Sequence, residues 1–184
     1  MSKWTLLVFF LLPACSSFQT QQPETVSLRL LPTEQGPAAS VLKQKITFAK
    51  QDEQHQFIAA VRLEEQKVQM VALLPTGQYL FSLDYEGKTL KEENFSQVDI
   101  PSKEIFTVMQ FALWPESIVR EYYPANKGWL LEFSATTRVL ANHSGVLLKI
   151  NYEADSDNLE VENFLHGSSN PFKILIETLE KTLL

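Results

Sequence analysis

Pro75-Thr76-Gly77-Gln78-Tyr79-Leu80-Phe81-Ser82-Leu83-Asp84-Tyr85-Glu86-Gly87-Lys88 is the stretch from which the fold is read. Tyr79, Phe81, Leu83 and Tyr85 alternate with Gln78, Leu80, Ser82 and Asp84. A period of two puts alternate side chains on opposite faces, so this is a strand with one packed and one wetter face. Turn chemistry brackets it, Pro-Thr-Gly before and Glu-Gly-Lys after. The same grammar recurs at Trp129, Leu131 and Phe133 and at Val146, Leu148, Ile150 and Tyr152. Further turns are marked by Asn142-His143-Ser144-Gly145 and Asp155-Ser156-Asp157-Asn158. Strands are expected at 25–31, 41–50, 54–64, 67–74, 78–86, 88–95, 128–134, 136–141, 145–153, 158–165 and 172–180. Short connections make them mostly antiparallel neighbours.

One segment breaks this period. Pro101-Ser102-Lys103-Glu104 reads as a helix start, with Ser102 as N-cap and Glu104 in the first turn. The helix runs on through Ile105-Phe106-Thr107-Val108-Met109-Gln110-Phe111-Ala112-Leu113-Trp114 until Pro115 stops it and opens a second one, Glu116 to Tyr122. A surface helix carries a single apolar stripe, whereas this one is apolar nearly all round and calls for burial on most sides. Ile105, Val108, Met109 and Ala112 form the seam toward the sheet. Phe106, Phe111, Leu113 and Trp114 need other apolar surroundings. Either the helix lies inside a curved sheet that keeps a cavity, or it is the solid core of an ordinary α+β domain.

The amino-terminal residues have a different logic. Lys3, an apolar run from Trp4 to Leu12, and Pro13-Ala14-Cys15 read as a secretory signal. The run is too short for a transmembrane helix, which needs roughly 20 residues. Cys15 is the only cysteine and so has no internal disulfide partner. The organisation expected is a signal peptide at 1–14, the single cysteine and a polar tether at 15–24, and a β domain at 25–184. The chain has a net charge of −6, and becomes more acidic once Lys3 is removed. Nucleic acid is therefore not a partner, since it demands clustered Lys and Arg. Electrostatic docking on anionic lipid is disfavoured for the same reason.

Reacting groups are not found in any recognisable constellation. His55, His143 and His166 are scattered, and no cysteine joins them at metal-ligand spacing. Asp155-x-Asp157-Asn158 lacks the glycine and oxygen ligands of a calcium loop. Glu64-Glu65 and Glu92-Glu93 are neighbours only in sequence, and on a strand they face opposite ways. The chain is read as having no cofactor and no metal, and not as an enzyme.

Leu12-Pro13-Ala14-Cys15 resembles a bacterial lipobox, which implies a diacylglycerol on the Cys15 thiol. Three further features carry a wider resemblance: the run Leu73-Leu74-Pro75-Thr76-Gly77, the motif Phe111-Ala112-Leu113-Trp114-Pro115, and the later Gly128-Trp129-Leu130-Leu131-Glu132-Phe133. With the order of elements, they resemble an uncharacterised-domain family of bacterial outer-membrane lipoproteins that looks like LolA/LolB. Members are often encoded beside aryl-polyene and fatty-acid-like biosynthesis genes. The resemblance implies a mainly β fold, an incomplete antiparallel β-barrel enclosing a buried helix. It also implies a lipid cavity, for an acyl-chain or polyene lipid, lined by Tyr79, Phe81, Leu83, Ile105, Met109, Phe111, Trp114, Trp129, Leu131 and Phe133. Leu74, Pro75, Thr76 and Gly77 become a membrane-facing loop, and a periplasmic carrier protein becomes a candidate partner. Ser16, where an aspartate would signal inner-membrane retention, points to anchoring on the periplasmic face of the outer membrane. The competing reading is a structural or interaction lipoprotein with a filled core.

Overall fold

The computed structural model of the protein describes residues 26–96, 100–154, 156–165 and 171–184. Cys15, the signal segment and the tether lie outside the described residues. Ten strands form a single sheet: β1 (Ser40–Lys50), β2 (Glu53–Leu63), β3 (Val68–Leu73), β4 (Tyr79–Tyr85), β5 (Leu90–Asn94), β6 (Leu130–Phe133), β7 (Thr137–Asn142), β8 (Gly145–Tyr152), β9 (Leu159–Asn163) and β10 (Phe172–Leu183). Their order is β5-β4-β3-β2-β1-β10-β9-β8-β7-β6, and every pairing is antiparallel. Two five-strand meanders are thus joined where β10 returns to pair with β1. The sheet is open, with β5 and β6 as its edges.

The chain crosses from one edge to the other through two helices, α1 (Ser102–Leu113) and α2 (Glu116–Tyr122). The strand directions define two ends. The turns at 51–52, 74–78 and 143–144, with the start of α1, share the upper end. The turns at 64–67, 86–89 and 134–136, with the end of α1, share the lower one. No helix among the described residues is long and apolar enough to cross a membrane.

Period-two burial is clearest on β1, where Ser40, Leu42, Gln44, Ile46 and Phe48 are buried and their neighbours are not. The same inner face continues through Phe57, Ala59 and Val61 on β2, Met70 and Ala72 on β3, Ile150 on β8 and Ile174 and Ile176 on β10, in one continuous core. Nine of the twelve residues of α1 are buried, Ile105 through Ala112 among them. The all-round apolar composition of the helix is therefore matched by apolar contact around it.

Two expectations are corrected. A strand was expected at 25–31, and its described part, residues 26–31, joins no ladder of the sheet. Ser102 is not the N-cap. Pro101 holds that position without a side-chain cap, and the Ser102 hydroxyl donates instead to the Glu92 carboxylate on β5. Glu104 does stand in the first turn, and Pro115 separates the two helices as its missing N–H requires.

Candidate functional site

The face of α1 turned from the sheet is covered by residues 26–32, which run along the helices as a strap. Leu28 and Leu31 of this strap are buried in the core. Its backbone groups find partners in side chains instead of a neighbouring strand. Leu31 N–H donates to Gln110 Oε1 at 3.1 Å, and Gln110 Nε2 donates to the Leu31 carbonyl at 3.2 Å. Trp114 Nε1 donates to the Pro32 carbonyl at 2.7 Å. The Tyr123 hydroxyl accepts from Arg29 N–H at 2.7 Å. Each of these would be a costly unpaired group if the strap lifted into an apolar setting. Just beyond the strap, Gly36 lies against the Trp114 indole, where a Cβ would come within 3.1 Å of the ring.

The lower end of α1 is fixed by two groups of the opposite meander. Arg138 Nη1 donates to the carbonyls of Phe111 at 2.8 Å and Trp114 at 2.7 Å. The Tyr152 hydroxyl donates to the Ala112 carbonyl at 2.8 Å. These are the orphan carbonyls of a helix C-terminus, where a cation is also favoured by the helix dipole. The Arg138 guanidinium lies over the rings of Phe133 and Tyr152, and the Arg120 guanidinium lies over the Phe133 ring at 4.7 Å. Burial pushes the hydroxyls of Tyr123 and Tyr152 up to about 12. Both therefore remain donors throughout the physiological range.

The residues read from sequence as cavity lining fall into three environments. Phe81, Leu83, Ile105, Met109, Phe111 and Trp114 are buried in the core. Trp129, Leu131 and Phe133 are half-buried against it. Phe111 stacks on Phe133 and meets Tyr123 edge-on, and Tyr123 meets Trp129 edge-on. Tyr79 does not share the inner face with Phe81: it is 59% exposed and packs edge-on against Phe95. A register shift in the β3–β4 pairing explains this. Ala72 pairs with Phe81 but Leu73 pairs with Tyr79, so Leu80 is an extra residue. The bulge turns Leu80 and Phe81 both inward and sends Tyr79 out. In the adjoining turn, Leu74 is half-buried while Pro75, Thr76 and Gly77 are exposed. Gly77 has φ 87° there, a conformation glycine adopts without a Cβ penalty.

Open space lies at the two ends of α1, away from these residues. The upper pocket, about 480 Å³, is bordered by Val26, Leu28, Ile100 and Leu165 together with Glu92 and Glu104. The lower pocket, about 250 Å³, is bordered by Leu42, Leu63, Leu113, Tyr152, Leu159 and Leu183, with Gln44 and Thr178 in its wall. Neither of these two pockets is bordered by any of the ten residues read as cavity lining. Among the described residues, no group of three or more His, Cys, Asp or Glu stands close enough to hold a metal ion.

The strap anchors Gln110 and Tyr123, and the pocket residue Gln44, were missed from sequence. Gln110 carried a signal: an amide inside the apolar run 105–114 must find partners when buried. Gln44 carried none, since Lys43-Gln44-Lys45 reads as a polar run.

An open ten-strand antiparallel sheet, with the connecting helices packed on its inner face, is the class of structure these elements define. Residues 41–180 match the family described as Protein of unknown function (DUF3261), and the chain belongs to it. The match takes in both helices, all of β2 to β9 and most of β1 and β10, and leaves the strap outside it. No curated protein matches the chain.

Proposed function

We propose that this protein is a lipoprotein anchored through Cys15 to the periplasmic face of the outer membrane. Its sheet is a LolA/LolB-like incomplete barrel around α1 that accepts one apolar chain, of acyl or aryl-polyene type, as a carrier or acceptor in lipid transport. One observation carries this reading: the interior is closed by a strap and a helix, not by strand pairing. Among the described residues the edge strands β5 and β6 form no ladder with each other, and the chain passes from one to the other through α1 and α2. Releasing the strap breaks a few side-chain hydrogen bonds and leaves the ladder intact. An apolar chain then takes the place of apolar side chains at little cost in buried area. Pockets of this kind are mostly apolar with few polar groups, as is the lower pocket.

A second reading has its own observation. Phe81, Ile105, Phe111 and Trp114 are exposed by no more than 1%, as in a filled core serving an interaction lipoprotein. Displacement of an environment-sensitive apolar dye from the full chain carrying Cys15→Ser separates the two. Dye uptake reversed by long-chain lipid supports carriage. A folded chain that takes up neither dye nor lipid supports the filled core.

A further inference from the structure

The strap gives the molecule a direction. Val26, Ser27 and Leu28 border the upper pocket, beside the start of α1. Leu31 and Pro32 are bound to Gln110 and Trp114, toward the other end of the helix. Residues 26–32 therefore run from the upper end of the sheet to the lower, and the tether joins the domain at the upper end. Val26 follows Cys15 by eleven positions. A flexible tether of that length spans about 18 Å on average and about 38 Å when fully extended. β1, which runs between the two ends and is eleven residues long, measures about 37 Å. An anchor at Cys15 holds the upper end close to its membrane and leaves the lower end a strand's length further off.

The surface differs between the two ends. Tyr79 and Phe95, both more than half exposed, meet edge-on beside the β3–β4 turn. Tyr79 pairs with Leu73, and Leu73 with Ile58, so the three share the outer face. On the other meander Leu130 pairs with Ala141 and Ala141 with Val146. Leu130 and Val146, both exposed, thus flank one alanine at the same end. The turns 74–78 and 142–145 contain no Lys, Arg, Asp or Glu; the β1–β2 turn, with Asp52, is the charged hairpin of this end. The lower end also exposes leucines, Leu179 and Leu183 of β10. Its turns, however, hold Glu64, Glu65 and Lys67, Glu86 and Lys88, and Asp157. Pressing those groups onto a lipid surface strips water from charges, whereas the apolar groups of the upper end gain by leaving water.

We propose that the upper end lies on the bilayer that holds the Cys15 anchor, touching it through two outer-face patches, Tyr79–Phe95 and Leu130–Val146. This rests on the anchored, lipid-binding reading above and supplies the membrane surface for it. The surface is neutral or zwitterionic, because the chain is acidic and neither patch offers a cation to an anionic headgroup. Contact is made by the strands that flank Pro75-Thr76-Gly77 and does not depend on that turn entering hydrocarbon. The upper pocket stands at the same end, with Leu28, Ile100 and Leu165 in its wall. An apolar chain therefore has a short path from the bilayer to the side of α1.

The test uses the anchored protein reconstituted in phosphatidylcholine vesicles, with one exposed residue replaced at a time: Phe95→Cys, Val146→Cys, Leu179→Cys or Leu183→Cys. Each new thiol carries an environment-sensitive fluorophore, and the vesicles contain lipid with a quencher on its acyl chain. Acylation blocks the Cys15 thiol, so the wild-type chain should take up no label; labelling of the wild type overturns the anchor reading itself. The expected result is quenching at positions 95 and 146 at least about fivefold stronger than at 179 and 183, since a strand's length separates the two ends. Tyr79→Ser combined with Phe95→Ser should lower the quenching at position 146. Equal quenching at both ends, or stronger quenching at the lower end, overturns the inference and leaves the anchor standing. Self-quenching that rises with the number of chains per vesicle, without quenching by lipid, also overturns it, by giving the patches to a second copy of the chain.

Discussion

Gln110 grips the backbone of Leu31 with both ends of its amide, Oε1 accepting at 3.1 Å and Nε2 donating at 3.2 Å. The two residues are 79 positions apart, and the arrangement copies the paired bonds that one strand residue makes with another. Gln110→Leu would leave both Leu31 groups buried without partners. At about 1–3 kcal/mol for each unsatisfied group, the chain should lose about 2–6 kcal/mol of stability in urea unfolding. A loss below about 0.5 kcal/mol would mean that the strap contributes little to the fold.

That bond also explains what could be read from the sequence and what could not. All ten strands and the two helices were legible, because period-two alternation, the Pro75-Thr76-Gly77 type of turn and the Pro115 break are local signals. Residues 25–31 carry the same local signal, but the partners of Arg29, Leu31 and Pro32 are side chains far away in sequence. Nothing local distinguishes an extended segment paired with Gln110 and Tyr123 from one paired with a strand. Tyr79 was misplaced for a related reason: the β3–β4 bulge depends on the pairing of two strands, and alternation along β4 alone does not reveal it. The candidate pocket residue Gln44 was hidden between two lysines whose outward direction is set by the sheet.

Alkaline pH should loosen the strap and the end of α1. Tyr123 is raised to about 12, mainly by desolvation on burial, offset in part by its hydrogen bond and charge contact with Arg29. Its folded value lies above its unfolded one, so the folded state holds the proton more tightly. The stabilisation is fully present below about pH 10 and is lost as pH rises toward about 12, at about 1.4 kcal/mol per pH unit. Urea unfolding of wild type and Tyr123→Phe between pH 9 and pH 12 checks this. Tyr123→Phe should show a shallower decline, with Tyr152 accounting for the remainder; parallel curves would remove Tyr123 as the cause.

Cys15→Ser should release the protein from membranes. No other segment supplies enough apolar length or positive charge to hold it there. Labelling with radioactive palmitate followed by membrane fractionation is the check. Label retained by the serine variant would assign the anchor to another residue.

Thr76 stands exposed at the tip of the β3–β4 turn, where the LolB resemblance would place a leucine that enters the membrane. Threonine lacks about three buried carbon groups' worth of transfer energy, a deficit of about 2 kcal/mol at roughly 0.8 kcal/mol per group. Thr76→Leu should therefore raise binding of the chain to neutral vesicles by more than tenfold. It should also be required before the chain rescues growth of a bacterium depleted of its lipoprotein acceptor. Rescue by the wild-type chain would make Thr76 no obstacle to that role.

Native mass spectrometry of the full chain carrying Cys15→Ser, purified without detergent, tests lipid carriage most directly. The account predicts one added mass per chain, removed by organic extraction and restored by a single-chain lipid, with the fold unchanged in circular dichroism. A folded chain at its bare mass, and unmoved by every lipid offered, would contradict it.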